Sequence, residues 1–278
     1  MNKKLIYPIL ALASLMVACD PAEDRAVLSG AITADQLNIS ATPQVIDGKN
    51  SNYIDLNSDG APVLSSWNYG SGMTTATKTT VQLVVGGAND IVFTGRNHDG
   101  STITKTLTVQ IDTLVNVPAE WGYFCGSGEK AWVWDDTQAD QKVWGNGGYL
   151  GSVAPSWWTV SIDEMSGQAD GEGGGAEMVF SVAGASLTLN KSDGSSEKGS
   201  FSFDMSDVTL DESGEVWAKG RLNTIGTSVL AGVSPNEGNA RISRYDILVL
   251  DNEKMVLAYP EPGAGAWGTA WFWMFRAK

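Results

Sequence analysis

From Val27 to Leu114 the apolar positions come in short alternating or β-branched runs, and none carries a 3.6-residue apolar stripe of useful length. The runs Gln36–Ile46, Thr79–Val85, Asp90–Gly95 and Thr102–Ile111 are set apart by Gly, Asn, Asp and Ser, which predicts strands joined by turns and a small β-sandwich. Beyond residue 120 the pattern continues as a meander. Met178–Ala183 and Ser186–Asn190 flank Gly184-Ala185 as a hairpin, and Ser200–Met205 follows the turn Lys191–Gly199. Val216–Leu222, Thr227–Val233, Ile242–Leu250 and Met255–Tyr259 are the next expected strands, with the tightest turn at Asp251-Asn252-Glu253. About eight antiparallel strands protect their edges best as a second sandwich or a partly closed barrel. Trp271–Phe275 is apolar at every position, which predicts a central strand covered on both faces and places Trp271 and Trp273 in the core. The fold class is therefore all-β, a small β-sandwich followed by a second antiparallel β-sandwich or partly closed barrel rich in Trp.

The composition shifts sharply near Pro118, whose missing N–H cannot continue a ladder: ten of the 11 Trp lie beyond it and only Trp67 before. This divides the chain into residues 27–114, a linker 115–120 and residues 121–278. Ahead of them, Lys3 and Lys4 precede an apolar stretch from Leu5 to Met16 that ends in Val17-Ala18-Cys19. That order predicts a cleaved leader over 1–18 and an acidic tether over 19–26, with Asp20, Glu23 and Asp24.

Eighteen Lys and Arg against 32 Asp and Glu give the 278 residues a net charge of −14, and loss of the leader makes it two units more negative. Such a surface repels phosphate backbones and excludes nucleic acid as a partner. One His, His98, and two Cys leave little for a metal cage, a thiol centre or a Ser/His triad. With Cys19 consumed at the N-terminus, Cys125 has no disulfide partner.

Abundant Trp suits a different chemistry. A sugar offers C–H-rich faces and a rim of hydroxyls, so its receptor needs indole planes beside amides and carboxylates. Three Gly- or Pro-rich stretches have that mixture: Trp144-Gly-Asn146-Gly-Gly-Tyr149, Ala154-Pro-Ser-Trp157-Trp158, and Pro260-Glu-Pro-Gly-Ala-Gly-Ala-Trp267. The candidate ligand-binding residues are Trp144, Asn146, Tyr149, Trp157, Trp158, Glu237 and Trp267. Trp144, Trp158 and Trp267 are expected to form one platform, the glycines beside Trp144 leaving its ring uncovered. Asp135-Asp136, Asp163-Glu164 and Glu172 are weaker polar candidates, and no catalytic residue is assigned. Asp55, Asn57 and Asp59, followed by Gly60, match the first half of a calcium loop, but Ser66 stands where the bidentate carboxylate belongs, so a polar turn is the better expectation and no cofactor is assigned.

Three resemblances add to this reading. Met16-Val-Ala-Cys19 resembles the lipobox of bacterial lipoproteins, which implies lipid on Cys19, and the acidic residues behind it resemble the surface-export signal of Bacteroidetes lipoproteins. Trp67-Asn-Tyr-Gly-Ser-Gly72, Thr80-Val-Gln-Leu83, Asn97-His-Asp-Gly-Ser101 and Thr106-Leu-Thr-Val109 resemble a PKD domain, departing from it at Asn68 and Ser71, which implies that 27–114 is an immunoglobulin-like sandwich serving as a spacer. The whole layout resembles the surface glycan-binding lipoproteins that accompany SusC/SusD-type importers in polysaccharide-utilisation systems. This implies an outer-membrane protein, displayed on the cell surface, that captures a neutral, glucan-like polysaccharide without cleaving it and delivers it to an importer. The alternatives are a glycoside hydrolase acting on the same glycans and a structural or adhesin lipoprotein without a small ligand.

Overall fold

A computed structural model describes residues 30–278. The leader 1–18, Cys19 and the tether 19–26 lie outside the described residues. The first unit has seven strands, β1 (Ser40–Ile46), β2 (Lys49–Asn57), β3 (Leu64–Asn68), β4 (Met73–Thr74), β5 (Lys78–Gln82), β6 (Gly87–Arg96) and β7 (Thr102–Ile111). They form two antiparallel sheets, β1-β2-β5 and β4-β3-β6-β7. Every second residue points inward, so Ile54 and Leu56, Ile91 and Phe93, and Val109 and Ile111 bury one core, closed around Trp67, whose ring meets Phe93 edge-on at 4.7 Å. The expected strand at Gln36–Ile46 starts only at Ser40, because Ala34–Gln36 turns as a 3₁₀ helix and drops Leu37 into the core.

The entry and exit of this sandwich lie at opposite ends. Asn97, at the tip of the β6–β7 hairpin, bonds both the N–H and the carbonyl of Ile32 through its amide. At the other end Asn52 receives the N–H of Val115, and Gln82 donates to the carbonyls of Val115 and Asn116. The ten-residue β7 that runs between these ends spans about 33 Å. Residues 115 and 116 of the expected linker are thus fastened to the sandwich, and residues 119 and 120 begin a helix, α1 (Ala119–Cys125). Since this core shares no buried residue with those of the second unit, residues 30–116 expressed alone should melt cooperatively in a calorimeter; a melt without a transition would show that they need the remainder.

The second unit is a closed barrel. Eight antiparallel strands, β8 (Glu129–Trp134), β11 (Glu177–Ser181), β12 (Ser186–Asn190), β13 (Ser196–Asp204), β16 (Gly220–Ile225), β19 (Arg244–Leu250), β20 (Lys254–Pro260) and β21 (Thr269–Ala277), pair in that order, and β21 returns to β8. The first half of β21 pairs instead with β9 (Lys142–Gly148), which carries the edge strand β10 (Trp158–Ser161). The wall therefore forks where β8 and β9 part along β21. Two small hairpins, β14 (Thr209–Leu210) with β15 (Val216–Ala218) and β17 (Val233–Ser234) with β18 (Ala240–Arg241), complete the fold.

Side chains fill the barrel interior, as its size dictates. Trp271, Trp273 and Phe275 point inward beside Trp132, Trp134, Phe180, Leu257 and Tyr245. Phe272 and Ala270 point outward under Trp217, Leu248 and Val256, so β21 is covered on both faces as its composition predicts. At the Ala277 end of β21, α1 lies against the barrel: Trp132 Nε1 donates to the carbonyl of Phe124, and Phe124 stacks on Phe180 at 5.1 Å.

The expected strand Thr227–Val233 is instead a plug. Val229, Leu230 and Ala231 are fully buried inside the barrel, where Ala231 takes φ 47°. The backbone groups that a ladder would satisfy find other partners: Ala231 N–H donates to Glu172 Oε2 at 2.6 Å, and Trp273 Nε1 donates to the Ala231 carbonyl at 2.9 Å.

Candidate functional site

Trp144, read as an uncovered loop ring, is a correction. It lies on β9 with no exposed surface, stacked on Trp271 at 5.2 Å. The glycines around it do not open the site; they let other rings and backbone close over it. At Gly145 a Cβ would lie 2.0 Å from the carbonyl oxygen of Trp158, so only glycine lets β10 approach. The Trp144 Nε1–H finds no partner among the described residues.

Above that buried pair three indoles face solvent: Trp157 at 53%, Trp158 at 42% and Trp267 at 59% exposure. Trp158 meets Trp144 and Trp271 edge-on at 5.6 and 6.0 Å. Trp157 and Trp267 border the same point, since a Cβ on Gly148 would lie 3.2 Å from one ring and 2.5 Å from the other. Trp267 also covers Gly151 and holds φ 60°. All three rings gather at the Thr269 end of β21, the barrel mouth opposite α1. Of the three residues expected to form a platform, Trp158 and Trp267 are exposed beside Trp157, and Trp144 lies buried beneath Trp158.

Asn146 organises this surface. Its Oδ1 accepts from Trp158 N–H at 3.0 Å and its backbone carbonyl accepts from the N–H groups of Ser156 and Trp157, while its Nδ2 donates to no described residue. Tyr149 is displaced from the platform to the outer face, where its ring meets Trp217 edge-on at 5.1 Å. One residue along a strand reverses the side, so Tyr149 faces away from Gly148, and its contribution to the mouth is the backbone bond that its carbonyl accepts from Trp267 N–H.

Polar groups adjoin the buried pair through Trp271. Tyr259, the cross-strand neighbour of Trp271, donates its hydroxyl to Glu237 Oε2 at 3.0 Å. Burial, the Glu237 carboxylate and nearby Glu261 push the Tyr259 phenol up to about 12, which keeps it a neutral donor. Glu261 accepts from Trp271 Nε1 at 3.1 Å. Tyr259 and Glu261 are members that sequence reasoning missed. Glu261 sits in the quoted Pro260–Trp267 stretch, but only the strand register shows that it reaches Trp271.

The other candidates have structural work. Glu164 closes a capping box with Ser161, accepting from its N–H and hydroxyl. Buried Asp135 accepts from Thr137 and Gln138 within its own turn, and Asp136 grips Arg276 with both oxygens, which holds its carboxyl below the usual range. Asp163 is exposed. In the half calcium loop Asp55 Oδ1 is taken by Thr80 and Gln44, and Asn57 Oδ1 by the N–H of Asp59. Among the described residues no group of three or more His, Cys, Asp or Glu is placed to hold a metal ion.

The combination defines a small closed β-barrel with an aromatic, carboxylate-edged mouth. No family model matches the chain, and no curated protein resembles it closely enough to count as a relative.

Proposed function

We propose that this protein binds a neutral polysaccharide at the barrel mouth, without cleaving it, and holds it at a bacterial surface. The observation that carries the reading is the convergence of Trp157, Trp158 and Trp267, three exposed indoles on a rigid buried base, beside Asn146, Tyr259, Glu237 and Glu261. Flat rings take the apolar faces of sugar units, and the amide, phenol and carboxylates pair with hydroxyls. The acidic surface favours an uncharged glycan over a sulfated or uronic one, and glucan-like chains are the first choice. The leader motif and Cys19 support a lipid anchor in the outer membrane, with the sandwich as a spacer whose entry and exit stand one strand length apart. Delivery to a SusC/SusD-type importer is the partnership this layout suggests.

Each of Trp157→Ala, Trp158→Ala and Trp267→Ala should weaken binding about 5- to 150-fold, the equivalent of about 1–3 kcal/mol, and leave the melting temperature nearly unchanged. Retardation of the full chain in gels cast with neutral glucans, mannans and xylans, with calorimetry on the same variants, tests this. If wild type passes through every gel unretarded, the reading is wrong. The two carboxylates near Tyr259 favour glycoside hydrolysis as the second reading; it is dismissed if no reducing sugar appears on incubation with a retained glycan.

A further inference from the structure

The fork between β8 and β9 opens a second cleft, of about 350 Å³, at the far end of β9 from the mouth. Its size falls within the range of small-molecule sites. Val133, Ile162, Ala176 and the edge of Trp134 give it an apolar floor. Its rim is polar but electrically balanced. Arg276 is paired with Asp136 through Nε and NH2, and Lys278 with Glu177 at 2.6 Å. Neither a free anion nor a free cation gains an uncompensated partner there. What the cleft does offer is hydrogen bonding: the Gln141 amide and the backbone N–H groups of Gly174 and Gly175 bond to no described residue. A guanidinium locked to a carboxylate presents donors and acceptors in one plane, the pattern that matches two neighbouring hydroxyls.

We infer that this cleft is a second carbohydrate subsite, taking a single uncharged sugar ring, and that a long glycan engages it together with the mouth. The inference rests on the carbohydrate-binding reading for the nature of the polymer, and on the fork itself for the site. Edge strand β10 joins the two places, with Trp158 at the mouth and Ile162, just after its end, in the cleft. These four residue steps span about 13 Å, so neighbouring segments of one chain reach both. Simultaneous engagement raises apparent affinity through effective concentration without any new contact.

Gly174→Leu tests the assignment. A Cβ at Gly174 meets only Ile162 Cγ2, at 3.6 Å, so a leucine can fill the cleft without strained backbone. The indole N–H of Trp134, which donates to the Glu172 carbonyl, serves as an NMR reporter in the full chain labelled at tryptophan. Methyl β-glucopyranoside, methyl α-mannopyranoside and methyl β-xylopyranoside at tens of millimolar are the probes. At least one should shift this resonance in wild type and none in Gly174→Leu, and the variant should bind the retained polymer about tenfold more weakly at an unchanged melting temperature. A reporter unmoved by all three probes in wild type overturns the inference. If that happens while the mouth variants abolish gel retardation, the cleft fails and the mouth reading stands. If the reporter shifts but the mouth variants leave retardation intact, the mouth reading fails and the cleft stands.

Discussion

Trp144→Ala, Trp271→Ala and Trp273→Ala should each destabilise the barrel by about 3–5 kcal/mol, and thermal melts should fall by roughly 10 °C or more. These rings are fully buried or nearly so, and each is wedged between strand and plug or between two other indoles. Deleting one leaves a cavity that a closed barrel cannot collapse, because its wall is fixed by hydrogen bonds all round. Trp144→Phe is the informative control. It keeps most of the stacked area on Trp271 and removes an Nε1–H that has no partner among the described residues, so its cost should be well below that of the alanine variant. A Trp144→Ala melt matching wild type would mean that this ring is not the floor of the mouth.

Glu172→Ala should cost a similar amount, about 3–5 kcal/mol, by releasing the plug. The buried carboxylate accepts from Ala231 N–H and pairs with Lys191 at 2.9 Å. Lys191 continues to Glu197 at 3.2 Å, Glu197 to Arg241 at 2.6 Å, and Arg241 to Ser228 Oγ at 3.0 Å, so the chain of charges returns to the plug segment it secures. Removing Glu172 leaves a buried N–H unpaired and Lys191 without its main partner. Glu172→Gln preserves an acceptor and should cost less. The same pair sets a pH dependence. The Glu172 carboxylate raises the Lys191 pKa above its ordinary 10.5, so the folded state holds this proton more tightly than the unfolded chain does. Its contribution is complete below about 10.5 and is lost as pH rises through the folded value. Alkaline melts of wild type should fall more steeply than those of Lys191→Met, and parallel curves would remove the pair from the account.

The parts of this fold that were legible in the sequence are those decided by neighbours along the chain. The hairpins around Gly184-Ala185 and Asp251–Glu253 and the doubly covered strand at Trp271–Phe275 belong to this class. The misreadings come from residues whose role is set from afar. Gly145, Gly147 and Gly148 look like a loop, yet they form a strand because Trp158, Ser156 and Trp267 need the space that side chains would fill. Val229-Leu-Ala231 looks like a strand, yet it turns on itself through Gly232 and Val233, and Ala231 finds Glu172 and Trp273, more than forty residues away in each direction. The aromatic loops were legible as such, and Trp157, Trp158 and Trp267 are the exposed rings they supply. Which of the Trp would be floor and which surface depended on the register of β9 against β21, and no local pattern contains that.

The seam along β21 also governs the order of assembly. Trp132, Val133 and Trp134 of β8 must wait for Phe275, Arg276 and Ala277, some 140 residues later, before the wall can close. Until the nine residues of β21 leave the ribosome, the Trp-rich interior has no lid, and so high a sequence separation makes closure slow. A chain paused or nicked before Thr269 would leave that Trp-rich interior uncovered, so this molecule should be prone to aggregate until its last strand is made.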